Sequence, residues 1–282
     1  MKAIKKKGNR IKKKDRFIWP LFCLIWGFVC LFPIWILFSG TFSPDSQNLV
    51  NVLYPSSIRN GITKIYDAVT TVSIGRATID TLVYSSFTVI GILLISSLAA
   101  YEFSFFRFPF KKFLFGLVMV SMMLPQILYI IPLYRMVYNM GLADTLLGIS
   151  LPLMVAPLAV FIMMQFIEDL PPSFIESARI DGAGHFTIYW KIVLPLMRNG
   201  ILTTAVLMFM KIWGQYLWPS LITANRIKPI SVTIANILSP NYWVDSRVKI
   251  AAMLVAMLPP LLVYIFFQKH VIEGVTSSGV KG

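Results

Sequence analysis

Two clusters of polar residues interrupt long apolar runs, and any chemistry in this chain must start from them. The first is the stretch 168–200, EDLPPSFIESARIDGAGHFTIYWKIVLPLMRNG. In it Ser173-Phe174-Ile175-Glu176 fits a capping box, where a serine hydroxyl and a glutamate carboxylate satisfy backbone N–H groups at a helix start. Glu176 in that role is worth about 1 kcal/mol. Asp181-Gly182 closes the same short helix, with Gly182 suited to a left-handed turn. The second cluster is Lys211 with Gln215, four residues apart and so on one helix face. Polar groups inside a membrane are costly and face a cavity or a partner. Lining of a pore, and snorkelling or pairing between subunits, both remain open for Lys211. No catalytic constellation joins either cluster. The chain has no G-x-x-x-x-G-K-[ST], no H-E-x-x-H and no G-x-S-x-G. It therefore binds no ATP through a phosphate loop, and any energy source must belong to a partner. His185 reads as a solvated loop histidine, and His270 has no ligand-type neighbours, so no metal site is predicted.

The elements that must position these residues follow from composition. Hydrophobic residues make up 57% of the 282 and charged residues 13%. Too few polar residues remain to coat a soluble sphere, and a disordered chain is excluded for the same reason. The formal charge of +14 is concentrated at the start of the chain. Nine of the 26 basic residues fall in 1–16 and run straight into an apolar span. That is the flank of a membrane helix drawn to anionic lipid, and nucleic acid is not the expected partner. Cys23 and Cys30 lie about 10 Å apart along a helix axis, too far for a mutual disulfide.

Six apolar stretches have the length of a bilayer crossing: 17–38, 81–101, 113–132, 147–167, 201–222 and 248–267. The first is too long for a signal peptide and lacks a small-residue cleavage site. Barrel strands would be half as long and alternate in polarity. The predicted fold class is all-α integral membrane. Its parts are a basic cytoplasmic tail (1–16), a first transmembrane helix (17–38), an extracytoplasmic loop (39–80), a five-helix core (81–268) with the inner loop 168–200, and a cytoplasmic tail (269–282). With both termini inside, seventeen basic residues face the cytoplasm and eight face out, with Lys211 in a span. The loops near 39–80, 138–146 and 223–247 then face outward. Pro125, Pro132, Pro152, Pro157, Pro219, Pro259 and Pro260 lie in or at the ends of spans, as bundle-shaping kinks or as hinges.

The inner loop carries a more specific signal. Glu176-Ser177-Ala178, then Asp181-Gly182-Ala183, then Ile192-Val193-Leu194-Pro195-Leu196 resemble the EAA loop of binding-protein-dependent ABC importer permeases, with Ser177 at the first alanine and Asn199 where a proline often follows. Trp213-Gly214-Gln215-Tyr216-Leu217-Trp218-Pro219 is similar to the Trp-Asn-Glu-Phe-x-x-Pro segment of the sugar-importing branch, with Gly214 and Gln215 departing from it. The ending Gly279-Val280-Lys281-Gly282 resembles the tail of the maltose-type subunit. The resemblance implies a type I ABC importer permease fold with six helices in the cell membrane. It implies a second, non-identical permease, two ATPase subunits that bind ATP and Mg, an extracytoplasmic solute-binding protein and a saccharide substrate. This chain would carry no cofactor and would be no enzyme.

By that likeness Glu176, Ser177, Ala178, Asp181, Gly182, Ala183, Ile192, Leu194 and Pro195 couple to the ATPase. Lys211, Trp213, Gln215 and Trp218 are candidates for the translocation pathway. The two tryptophans could stack on a sugar ring, although tryptophan at a membrane interface is the commoner case. The alternative function is a self-contained secondary transporter. It would need acidic ion sites at the membrane midplane, whereas all twelve acids lie in loops or at span ends.

Overall fold

Apolar runs in lipid must satisfy every backbone polar group internally, which leaves helices as the spanning form for stretches of this length. The computed structural model describes residues 15–43, 53–55 and 57–279, and of 15–18 and 272–279 the backbone only. The basic tail up to residue 14 and the final 280–282 lie outside the described residues. No strand occurs among the described residues.

The helices are α1 (Asp15–Thr41), α2 (Ile58–Thr70), α3 (Ile74–Phe105), α4 (Lys111–Ser121), α5 (Ile130–Asn139), α6 (Leu146–Met154), α7 (Pro157–Glu168), α8 (Ser173–Ile180), α9 (His185–Leu196), α10 (Arg198–Trp213), α11 (Leu217–Ile222), α12 (Ile230–Leu238) and α13 (Ser246–Gly279). Among the described residues three are long and apolar enough to cross a membrane alone: Trp19–Thr41, Ile74–Phe105 and Ser246–Val271. Two bent pairs, α6 with α7 at 50° and α9 with α10 at 74°, raise that number to five if each is one span.

The differences from the expected spans have local causes. The stretch 113–132 is not one helix: α4 ends at Ser121, Pro125 sits in extended conformation, and a short 3-10 turn (Gln126–Leu128) precedes α5. Pro125 has no N–H to continue the ladder and disfavours helical backbone in the residue before it. The stretch 147–167 bends at Val155-Ala156, with Pro157 restarting the helix at a position where a missing N–H costs nothing. The stretch 201–222 splits at Gly214, leaving α11 as a separate piece. The second inner-loop helix passes Pro195 and runs to Leu196 by a π turn over Tyr189–Val193, in which the Leu194 N–H reaches the Tyr189 carbonyl. Pro259 and Pro260, by contrast, leave α13 unbroken.

Two compact units result. One takes the chain up to Ala68 with Val244–Leu254. In it Lys64 lies 3.0 Å from Asp245 and 3.7 Å from Asp67, and Arg247 lies 2.8 Å from Asp245. The Arg247 guanidinium, helped by Lys64, holds the Asp245 carboxyl far below the usual carboxylate range despite partial burial. The segment 39–80, expected as a loop, contains α2 and the first turns of α3. The other unit takes Val69–Trp243 and Val255 onward. In it α3 packs against α6, α7, α10 and α12.

Candidate functional site

Helix α8 begins differently from its sequence signature. The N-cap is Pro172, in helical conformation, and no side chain caps the helix. The Pro171 carbonyl accepts from the Phe174 N–H at 3.3 Å, and the Pro172 carbonyl accepts from Ile175 and Glu176 at 3.0 Å. Ser173 is thereby already inside the helix and cannot adopt the extended backbone a capping residue needs. The expected capping box is not formed. Ser177, in place of the alanine of the resembled pattern, turns its hydroxyl back to the Ser173 carbonyl at 2.8 Å. The other end forms as expected. Gly182 has φ +80°, its N–H donates to the Arg179 carbonyl at 3.1 Å, and the Ala183 N–H donates to the Ala178 carbonyl at 2.9 Å. These are the paired bonds of a Schellman stop.

Two residues, Ile175 and Ala178, fix the helix to the chain's own core. They join Ala100 and Tyr101 of α3, Met163 and Ile167 of α7, and Ile188, Tyr189 and Val193 of α9 in one buried cluster. The Tyr189 hydroxyl meets Ser97 Oγ at 2.8 Å, tying α9 to α3. Ala178 therefore faces inward, and Ala183, Ile192 and Leu194 are half-buried against the same cluster. Glu176, Ser177, Asp181, Gly182 and Pro195 are exposed. So are Phe174, Ile180 and Phe186, with Ile180 at 86%. Glu176, Gly182 and Ala183 line a cleft with Arg107, Lys111, Arg179 and His185. His185 is not merely solvated: its ring lies 4.4 Å from that of Phe106.

The pathway candidates separate into two groups. Lys211 and Gln215 line a cavity shared with Gln126, Tyr129 and Met208. Gln215 Nε2 donates to Gln126 Oε1 at 2.8 Å, across the break at Pro125. Gln126 was not singled out from sequence, although a lone amide in an apolar stretch was the available signal. Trp213 and Trp218 are buried, and neither is among the residues that line this cavity. Trp213 Nε1 donates to the Ala256 carbonyl at 3.2 Å, and Trp218 Nε1 donates to the Ile149 carbonyl at 3.1 Å. Their indoles close helix contacts and offer no face to a ring.

A third feature had no sequence signal. Asp144, at φ +54°, accepts from the backbone N–H groups of Asn225 and Arg226 at 2.8 and 2.9 Å and of Ile227 at 3.2 Å. Asp80 accepts from the Lys228 N–H at 2.9 Å, and Thr81 from that of Ile230 at 2.8 Å. Burial alone would raise the Asp144 pKa, but the backbone donors of Arg226, Asn225, Ala224 and Ile227 hold it below the usual carboxylate range. The sign gives this anchor full strength above the ordinary carboxylate pKa, with loss as pH falls through the depressed folded value. Asp144→Ala removes these charge-assisted bonds and puts alanine, which tolerates positive φ less well than aspartate, at that position, so a loosening of the 223–229 loop by about 1–3 kcal/mol is expected. The check is trypsin cleavage after Arg226, which should become faster in the variant at neutral pH.

A family model described as a binding-protein-dependent transport system inner membrane component matches residues 91–277. The sn-glycerol-3-phosphate transport system permease protein UgpE of Yersinia pestis bv. Antiqua is 31% identical over 259 residues, covering 88% of this chain and 91% of that protein. The arabinooligosaccharides transport system permease protein AraQ of Bacillus subtilis (strain 168) is 30% identical over 273 residues, covering 95% and 96%. Among solved structures, a chain of a bacterial ABC transporter involved in the import of the acidic polysaccharide alginate superposes with a TM-score of 0.80 at 21% identity, covering 91% of this chain and 97% of that one. A chain of the inward-facing MetNI methionine ABC transporter gives 0.57 at 15% identity, covering 71% and 95%. Both structural likenesses are of fold.

Proposed function

The chain belongs to the family of binding-protein-dependent transport system inner membrane components, and from that premise we propose that it is the permease subunit of an ATP-driven saccharide importer that works through α8. It is a transport subunit and not an enzyme. In this reading it pairs with a second, non-identical permease. Two cytoplasmic ATPase subunits hold ATP and Mg, and an extracytoplasmic binding protein delivers the saccharide. The six crossings are α1, α3, the broken α4–α5 stretch, the bent α6–α7 pair, α10 with α11, and α13, with both termini in the cytoplasm.

The observation that carries this reading is the two-sided character of α8. Ile175 and Ala178 clamp it to α3, α7 and α9. Phe174 and Ile180, with Phe186 of α9, stand outward as large apolar side chains. A helix that is docked on one side and apolar on the other transmits displacement from a partner to the membrane helices. ATP binding must then favour one of two states for transport to follow, since a ligand shifts an equilibrium only by its differential affinity.

The test uses the assembled complex in proteoliposomes, with Cys23 and Cys30 replaced by serine. Uptake should require both the ATPase subunits and ATP. A cysteine replacing Ile180 should react with an impermeant thiol reagent only from the cytoplasmic side. One replacing Trp243, exposed at 95%, should react only from outside. Uptake without the ATPase subunits would replace this reading with the secondary transporter, and labelling at Ile180→Cys from outside would overturn the topology.

A further inference from the structure

We infer that the cavity beside Lys211 is a subsite for an anionic group, a carboxylate or a phosphate, on the transported saccharide; the inference rests on the permease reading above. Lys211 lies in the last turn of α10, within an otherwise apolar run, and is exposed to the cavity it lines. Among the described residues no carboxylate pairs with it, and none lines the cavity. The carbonyl end of α10 offsets part of the cost of holding a cation here without a counter-ion. Its charge is therefore not spent on a carboxylate among the described residues of this chain.

The rest of the lining fits the same chemistry. The bond between Gln215 Nε2 and Gln126 Oε1 uses one donor and one acceptor of the pair. It leaves the Gln126 amide N–H₂ group as a second donor in the cavity that Lys211 also lines. Tyr129 adds a hydroxyl, while Met208, Pro152 and Leu153 form apolar walls. A pocket of one sign with apolar walls focuses its field and gathers the opposite charge. A neutral sugar would leave the ammonium unmatched, and a cationic one would be repelled by it. An anionic group is the ligand that Lys211 and the free Gln126 donors satisfy together.

The experiment measures the charge of the site without knowing the natural cargo. In the assembled complex lacking Cys23 and Cys30, Gln215→Cys is labelled with an anionic and a cationic methanethiosulfonate reagent of similar size. Rates are normalised to a free thiol. The anionic reagent should be favoured at least about tenfold, the scale on which a one-sign cleft raises local counter-ion concentration. Lys211→Met should abolish the preference and Lys211→Arg should keep it. A sugar phosphate and a uronate disaccharide, supplied separately at millimolar concentration, should slow the labelling, and whichever protects identifies phosphate or carboxylate. Maltotriose should not. Equal rates for the two reagents, a preference that persists in Lys211→Met, or protection by maltotriose alone would overturn the inference. So would protection by neither anion, or loss of the second permease from Lys211→Met complexes, which would reveal an intersubunit ion pair. ATP-dependent uptake by the complex with Lys211 and Gln215 unchanged is the separate measure of the permease reading, and it stands whichever of these results is found.

Discussion

Gly182→Val is expected to leave the permease in the membrane, bound to its partners, and to cut uptake by the assembled complex roughly 5- to 100-fold. Gly182 holds φ +80°, and a Cβ there would meet no atom within 4 Å. The penalty is thus purely one of backbone, about 1–3 kcal/mol for a branched residue forced into the left-handed region. That energy converts to the stated range at tenfold per 1.4 kcal/mol. Relief comes by opening the two bonds that stop α8, from the Gly182 and Ala183 N–H groups. The end of α8 that carries Ile180 then loses its fixed direction. Gly182→Asn, which tolerates positive φ, should stay close to the unmutated rate and separates geometry from side-chain bulk. Glu176→Lys acts on the other end. It reverses charge in the first turn of α8, at about 0.3–1 kcal/mol, and adds a cation to a cleft already lined by Arg107, Lys111 and Arg179. ATP hydrolysis stimulated by binding protein and substrate, read beside pull-down of the ATPase, checks both. Full activity in Gly182→Val and Glu176→Lys complexes would reduce 168–200 to a connector.

Trp218→Ala is expected to be the more damaging change to the fold itself. Trp218 is fully buried, and its indole N–H joins α11 to the Ile149 carbonyl of α6. Truncation removes the ring and leaves a cavity, a loss of about 3–5 kcal/mol. That is a large fraction of the roughly 5–15 kcal/mol by which a domain is stable. The yield of folded complex in mild detergent should fall severalfold, with a lower thermal midpoint. Trp218→Phe retains most of the ring and loses the hydrogen bond, so a cost nearer 1 kcal/mol is expected. Equal midpoints for the alanine variant and the unmutated chain would show that the contact carries no stability.

What the sequence exposed and what it hid divide along range. The short helix ending at Gly182 was legible because one glycine must take a positive φ after an amphipathic turn. The apolar runs announced α1, α3 and α13 because burial in lipid demands unbroken helix. The capping box failed because Pro171 and Pro172 moved the helix start ahead of Ser173, a competition between neighbours that a four-residue pattern does not weigh. Pro125 broke its stretch while Pro259 and Pro260 did not break theirs, and proline counting treats them alike. The Asp144 anchor, the Gln126–Gln215 bond and both buried indoles join residues far apart in the chain, so no local spacing betrays them. The hydrogen-bond partners of Trp213 and Trp218 were hidden for that reason: an indole signals its partner only through the carbonyl it finds.

Helix α3 has a mechanical consequence of its own. Its 32 residues form one rod, about 48 Å long at 1.5 Å per residue and so longer than the roughly 30 Å hydrocarbon layer. Its neighbours α6–α7 and α9–α10 are bent pairs. At one end Ala100 and Tyr101 grip Ile175 and Ala178 of α8. At the other, Asp80 and Thr81 hold the backbone of Lys228 and Ile230. A stiff rod gripped at both ends is a lever arm. Tilting it by about 10° about one end would carry the other through roughly 8 Å, from the same rise per residue. Work done on α8 thus has a direct mechanical route to the 223–230 segment, with no jointed intermediate to absorb the stroke.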